Sequence, residues 1–348
     1  MIPSLRTNRL VGVELEYDAS GTRYREPARV EGWTVLSDGS LRNGREYVMD
    51  PPRPVRDSLR YVTAFCSAAT EARTNVGVRG GFHVHVQSHD LDIEQTCDVA
   101  RLYSKYQNVI DRLLPVSRRN CRWAARMART TTPELVSMFN LNTPASSRGE
   151  AKSSRKYTTV NLAMCRCRNP DHRSIEFRQG ASTKRIANVM GWTALVTALV
   201  ETVAMGLPWR SRADSAAAFE NLLKKYERET GSEGLVDWVN WRREWINQPV
   251  TRDLVSKAIT CMRGLPRGVF HVSRELDVNV GLAKRICNKA VEDGKMTRNG
   301  NYYTPSASCG DWLHHDLQEL REAFGVDVED DGRGGVTATA STLRRISI

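Results

Sequence analysis

Three short stretches of the chain alternate apolar and polar residues with a period of two. In VGVELEY, Val13, Leu15 and Tyr17 fall on one side of an extended backbone, and Glu14 and Glu16 on the other. In GGFHVHV, Phe82, Val84 and Val86 oppose His83 and His85. In SIEFRQG, Ile175 and Phe177 alternate with Glu176 and Arg178. β-Branched alternation flanked by Gly, Asp or Pro predicts strands over residues 11–17, 33–37, 45–49 and 81–87. Residues 158–164 and 173–178 read as a hairpin around the polar segment CRCRNPDH. Apolar spacing of three and four predicts helices over 59–73, 93–114 and 184–205. Strands and helices in this order indicate an α+β class with a mixed or antiparallel sheet, not a βαβ repeat.

The pattern also divides the chain. Residues 1–210 carry the strand motifs and form one domain; 211–250 read as a helical connector. Trp238, Trp241 and Trp245 recur there at helical spacing and are expected to pack against the main domain. A separate module spans 251–325: three helical segments (251–263, 269–276 and 280–292), then the hairpin KMTRNGNYYT, whose Asn299-Gly300 pair is a type I′ turn signal. Three helices and a terminal hairpin resemble a small winged helix-turn-helix domain. The tail 326–348 is poor in large apolar residues and is expected to be disordered.

Composition narrows the partners. The 348 residues are 40% hydrophobic and 26% charged, an ordinary globular balance, but the formal net charge is +11. Such an excess concentrates anions near the surface, whether nucleotides, nucleic acid or acidic groups. The first residues lack an apolar run of signal-peptide length. The apolar stretch 186–207 is interrupted by Asn188, several Thr and Glu201, and is expected to be a buried helix, not a membrane span. Eight scattered cysteines without a compact framework fit a reducing cytoplasm.

Each apolar strand face anchors in a core, so each polar face must line a cleft. Taken singly, E-x-E reads as a solvated edge, H-V-H as a satisfied structural or zinc-binding pair, and E-x-R as an in-strand ion pair. Together they crowd carboxylates, which repel unless a cation lies between them. Oxygen ligands with one imidazole suit magnesium or manganese better than a structural zinc. No Walker loop, Rossmann glycine fingerprint, Ser-His-Asp or Cys-His arrangement is present. Cys165, Cys167 and His172 lack the Cys-x-x-Cys geometry and an evident fourth ligand, so CRCRNPDH is read as a hairpin loop.

The order of these motifs resembles the amidoligase branch of the glutamine-synthetase-like carboxylate–amine ligase superfamily, over about residues 10–205. GVELEY corresponds to its opening G-x-E-x-E strand. SDGSL and REYVMDPP correspond to D-x-S and E-x-V-x-x-P, GGFHVHV to G-x-H-V-H, and PVSRRN to P-x-S-R. YTTVNLA with SIEFRQG corresponds to the closing Asn and Glu-Phe-Arg pair. The resemblance implies a curved, mostly antiparallel sheet with flanking helices, whose concave face holds ATP and two or three Mg2+ (or Mn2+) ions. It implies Glu14, Glu16, Glu46, His83 and Glu176 as metal ligands and His85 near the ATP phosphates. Arg178 would lie on the transferred phosphoryl group, with Asn161 and Asp38 in support. The implied reaction activates a carboxylate as an acyl phosphate and joins it to an amine.

Further basic residues fit that scheme. SRRNCRWAARMAR carries no acid; as a helix it would align Arg118, Arg122, Arg126 and Arg129 into a stripe gripping ATP or a carboxylate. SSRKY offers Arg155 as a second phosphate-facing arginine. In the carboxyl-terminal module, Lys284, Arg285, Asn288 and Lys289 are expected to point away from its apolar core. Residues 251–305 hold ten Lys or Arg against five Asp or Glu, a surplus compatible with nucleic-acid contact or protein docking. Two other functions fit the same residues: a nucleic-acid-binding regulator that senses a nucleotide or metabolite, and a phosphotransferase that makes no amide.

Overall fold

The computed structural model describes residues 2–18, 25–39, 41, 43–74, 76, 80–119, 121–127, 130–142, 157–262, 267–276, 278, 280–306, 328–330 and 336–338. The chain forms two compact units, residues 1–247 and 248–348. Predictions for Arg129 and Arg155 lie outside the described residues.

The first unit is built on one antiparallel sheet. Its strands are β1 (Leu10–Asp18), β2 (Trp33–Leu36), β3 (Gly44–Met49), β4 (Arg53–Pro54), β5 (Gly81–Gln87), β6 (Val160–Asn161) and β7 (Ser174–Ala181). The order across the sheet is β2-β3-β1-β5-β7-β6, with β4 paired to the start of β1. Alternation acts as expected: Val11, Val13, Leu15, Tyr17, Tyr47, Met49, Phe82, Val84, Val86, Ile175 and Phe177 are all buried. Helices α1 (Val55–Glu71), α2 (Ile93–Lys105), α3 (Gln107–Asp111), α4 (Thr132–Phe139) and α5 (Ile186–Ala204) complete this part. α1 turns Tyr61, Val62, Phe65 and Ala69 inward at helical spacing. α2 begins at a capping box, in which Asp92 accepts from the Gln95 amide at 2.7 Å and the Gln95 side chain answers at 3.1 Å.

α5 is long and apolar enough to cross a membrane by length and composition, yet residues from Asn188 to Val203 are buried almost continuously inside the unit. It touches β1, β5, α1, α2 and two later helices, which explains why it is hydrophobic all round. Those later helices, α6 (Ala216–Thr230) and α7 (Leu235–Asn247), lie in the stretch read as a connector, and they belong to the first unit. Trp238 packs on Gly191 of α5, so closely that a Cβ at Gly191 would lie 2.0 Å from the indole. The Trp238 indole N–H donates to the Ala187 carbonyl at 2.9 Å.

Three other predicted elements differ from the fold. The 93–114 helix breaks at Tyr106, which packs on Phe219, while the next residue, Gln107, turns to bond Gln179. The 158–164 strand is reduced to Val160–Asn161, because Ala163–Arg166 curls into a 3-10 turn whose Ala163 amide is captured by the Asn161 side chain at 3.0 Å. The arginine-rich stretch is not a helix among its described residues. Only Val116–Arg118 forms a turn of 3-10 helix, and Ala125 then bridges Thr158 in parallel. The expected stripe therefore does not form: Arg118 is buried, Arg122 lies over Trp123, and Arg126 bonds Asn108.

The second unit contains α8 (Arg252–Met262), β8 (Arg267–Gly268), α9 (Val269–Glu275), α10 (Val280–Glu292), β9 (Met296–Asn299) and β10 (Tyr302–Pro305). The three strands pair antiparallel in the order β8-β10-β9, with Gly300 at φ +59° in the β9–β10 turn. A small core joins Val255, Ala258, Met262, Val272, Leu282, Ile286, Ala290 and Tyr303. Further on, β11 (Val328–Asp330) pairs antiparallel with β12 (Val336–Ala338).

Candidate functional site

Strand register gathers side chains from distant parts of the chain onto the polar face of the first sheet. Glu16 lies opposite Glu46 across β1 and β3, and Glu14 opposite His83 across β1 and β5. His85 faces Glu176 across β5 and β7, and Glu176 faces Asn161 across β7 and β6. Between Phe82 and Val84 the register shifts, so that β7 sets two residues, Arg178 and Gln179, against the single His83. Such a bulge re-aims side chains. Arg178 stays with Glu176, while Gln179 turns into the interior.

The contacts are close. His83 Nδ1 lies 3.2 Å from Glu14 Oε2 and 3.6 Å from Glu176 Oε1, and its Nε2 lies 3.6 Å from Glu16 Oε1. His85 Nε2 is 3.0 Å from Glu14 Oε1 and 3.9 Å from Glu176, with Nδ1 3.3 Å from the Ser174 hydroxyl. Arg178 donates to Glu176, and Asn161 Nδ2 donates to the other Glu176 oxygen at 2.7 Å. The Gly81 amide donates to Glu16 at 2.5 Å. A Cβ there would lie 2.8 Å from both Glu16 Oε2 and His83 Nε2, so any larger residue would displace these two side chains.

Two groups of donors meet at His83: Glu14, His83 and Glu176, and Glu16, Glu46 and His83, each with ligand atoms within 4.8 Å of one another. A neutral imidazole has one lone pair. It can therefore complete one group as a ligand while its N–H donates to a carboxylate of the other, a common metal–histidine–carboxylate arrangement.

Electrostatics shows the strain of this crowding. Burial works against charge on Glu14, but His85 and His83 outweigh it and hold the carboxyl well below its usual range. Glu46 is shifted the other way; burial, then Glu14, Glu16 and Asp38, push it up to about 8. For His85, burial favours the neutral ring, yet Glu14 and Glu176 prevail over it and over Arg178, raising it to about 9. Four carboxylates thus share few cations. The oxygen-rich donors and the side-chain-free space at Gly81 fit a hard divalent cation.

Because Glu46 must lose its proton to ligate, divalent-cation binding should release protons below pH about 8. The raised carboxyl also makes the metal-free protein lose stability as pH rises from the ordinary carboxylate range through about 8. Calorimetry of Mn2+ binding in buffers of differing ionisation enthalpy should show affinity climbing with pH up to about 8. Glu46→Gln should remove that pH dependence; an unchanged profile in the variant would place the proton elsewhere.

The polar face thus unites Glu14, Glu16, Glu46, His83, His85, Glu176, Arg178 and Asn161, with Asp38 close enough to act on Glu46. Arg118 stands behind them. It is buried, donates to the Arg178 carbonyl at 2.6 Å, and keeps a buried Nε with no hydrogen-bond partner among the described residues. Sequence reasoning missed what holds Arg118 in place. Gln179 accepts from Tyr103 and Gln107, both at 2.7 Å, and donates to Asp111 at 2.7 Å and to the Arg118 carbonyl at 3.0 Å. Only its place beside the E-F-R motif could have flagged it. Also missed was an aromatic wall. Trp123 is 37% exposed and meets Tyr157 edge-on at 5.1 Å, and its carbonyl accepts from Arg178 Nε at 3.3 Å. Cys165 and Cys167 are buried while His172 is exposed, and the loop carrying them joins paired β6 and β7 as the hairpin reading expected. Among the described residues they form no metal-binding group.

No curated protein sequence matches the chain. A family model described as "Putative amidoligase enzyme" matches residues 5–200, the span that holds every strand of the first sheet and all the side chains gathered at His83. This chain belongs to that amidoligase family, whose description is that of an amide-bond ligase.

Proposed function

We propose that the chain is an ATP- and magnesium-dependent carboxylate–amine ligase that makes an amide or isopeptide bond through an acyl phosphate, on a glutamine-synthetase-like core. The observation that carries the reading is the convergence at His83 of Glu14, Glu16, Glu46 and Glu176, with Arg178 bonded to the last. Glu14, Glu16, Glu46, His83 and Glu176 would hold the ions. Bound magnesium supplies neutralisation of phosphate oxygens as charge develops on them.

In the first step a substrate carboxylate oxygen attacks the γ-phosphorus of ATP, and the bond to ADP breaks. Arg178, fixed by Glu176 and the Trp123 carbonyl, presents its remaining N–H groups to the equatorial oxygens. His85, whose Nε2 lies 3.0 Å from Glu14, is a second N–H donor for the phosphates. Arg118 holds the Arg178 backbone from below. In the second step the amine nitrogen attacks the acyl carbon, phosphate leaves, and the proton lost by the amine leaves with it. Asn161 orients Glu176, and Asp38 lies near enough to Glu46 to add to the negative charge that bound cations would neutralise.

The test is incubation of the full chain with ATP, magnesium and mixed carboxylates and amines, followed by ADP assay and mass spectrometry. Magnesium-dependent ADP release and a product joined with loss of water are expected, both lost in Glu176→Gln. ADP release that ignores Glu176→Gln and Glu14→Ala would sink the site assignment. A phosphorylated product that never converts to an amide would favour a phosphotransferase instead.

A further inference from the structure

The second unit carries a charge pattern that the ligase reading does not use. Along α10, Leu282, Ala283, Ile286, Cys287 and Ala290 are buried. Gly281, Lys284, Arg285, Lys289 and Glu292 are exposed, and Asn288 is half-buried on the same side. At 100° per residue these form one stripe. Its first three turns hold three cations and no acid; the acids Glu292 and Asp293 come only at the far end, where Asp293 is paired with Lys289. Lys284 makes no ion pair among the described residues.

The β9–β10 hairpin stands beside this stripe. The Tyr303 hydroxyl donates to Asn288 of α10 at 2.8 Å, which ties the hairpin to the helix. The hairpin tip, Thr297 to Tyr302, is exposed, has no acid, and carries Arg298. α9 meets α10 through a tight turn in which the Ser273 hydroxyl donates to the Val278 carbonyl at 2.7 Å. The result is a helix presented edge-out with a basic arm next to it.

We propose that this surface binds duplex nucleic acid, with the exposed face of α10 entering a groove and the Arg298 hairpin resting on the adjacent backbone. The shape is suitable, because the major groove of B-form DNA admits one α-helix. The charge is suitable as well: among the described residues Lys284 and Arg298 have no acidic partner, and such cations are what phosphates require, while Arg285 beside them adds a further positive charge held by the Gln248 carbonyl at 2.6 Å. A protein partner fits less well. Interfaces between proteins centre on apolar or aromatic anchors, and the exposed stripe of α10 has none among its described residues. A single strand needs successive stacking rings, and on the hairpin Tyr302 is exposed while the neighbouring Tyr303 ring is buried.

The experiment is fluorescence anisotropy of the full-length chain with a labelled duplex of mixed sequence, titrated over about 50 to 200 mM NaCl. Affinity should fall steeply with salt. Lys284→Glu and Arg298→Glu should each weaken binding roughly tenfold and lower the salt slope by about one. Both variants should keep the circular dichroism spectrum and the ADP-forming rate of the parent. Glu176→Gln should bind the duplex normally, so the result is independent of the ligase reading. Absence of binding at low salt, or binding unchanged in the Lys284→Glu, Arg298→Glu double variant, overturns the proposal. Polyglutamate competing as well as the duplex would also overturn it, and would point to an acidic protein partner.

Discussion

Replacing His83 by alanine is expected to lower magnesium-dependent ATP turnover by roughly a thousandfold or more, the scale of losing a central electrostatic element in an active site. The size follows from position. His83 is 3% exposed and belongs to both donor groups, so one substitution strips each of a partner. The imidazole also separates carboxylates: Glu14, Glu16 and Glu176 all approach it within 3.6 Å. Its loss leaves those carboxylates facing one another across a cavity. They would take up protons in place of metal, and binding of Mn2+ should weaken in parallel with turnover. Asn161→Ala, which removes a hydrogen bond to Glu176 and the acceptor of the Ala163 amide but no member of either donor group, should cost less, roughly 10–100-fold. Steady-state ADP release together with Mn2+ calorimetry checks the ordering. His83→Ala retaining the parent's metal affinity would remove His83 from the centre.

The second large effect is on stability. Trp238→Ala should cost about 3–5 kcal/mol, a large part of the roughly 5–15 kcal/mol that typically holds a domain folded. Trp238 is 1% exposed, fills the space over Gly191, and donates to Ala187. One turn later on the same face of α7, Arg242 donates to the Leu113 carbonyl at 3.0 Å and to Asn188 at 3.1 Å. Truncating the indole therefore opens a cavity and loosens the clamp of α7 on α5. Gly191→Ala probes the same contact from the other side, since its methyl group has no room without displacing Trp238. Thermal denaturation of the full chain should show a drop of roughly 10 °C for Trp238→Ala. A fragment ending at residue 210, the boundary drawn from sequence, should fail to fold because it lacks α6 and α7. A soluble, cooperatively melting fragment, or an unchanged midpoint in both variants, would return those helices to the role of a connector.

That boundary shows where local pattern misleads. The stretch after residue 210 is polar on average, and its polarity suggested a helical connector outside the main domain. Its helices are amphipathic, however, and α5 offers apolar surface on more sides than the sheet can cover, so α6 and α7 are required to finish the core. The arginine stretch misled for a related reason. Its spacing suits a helix, but Ala125 hydrogen-bonds Tyr157 and Thr159, and that pairing outcompetes helical bonds.

What the sequence determined by itself is which side chains share a face. In an extended backbone the side-chain period is a local property, so Glu14 with Glu16, His83 with His85, and Glu176 with Arg178 could be paired without knowing any neighbour. Helix α10 obeyed the same logic with its own period. Tertiary structure alone decided which faces meet. Register set Glu16 against Glu46, Glu14 against His83 and His85 against Glu176, and it inserted the bulge that sends Gln179 inward beneath Arg118. It also decided the charges. Glu14 and Glu46 are the same residue type, yet one is held well below the usual carboxylate range and the other is raised to about 8. The physical reason is that register, desolvation and Coulomb coupling all depend on groups brought from far along the chain, and a sequence pattern carries no distances.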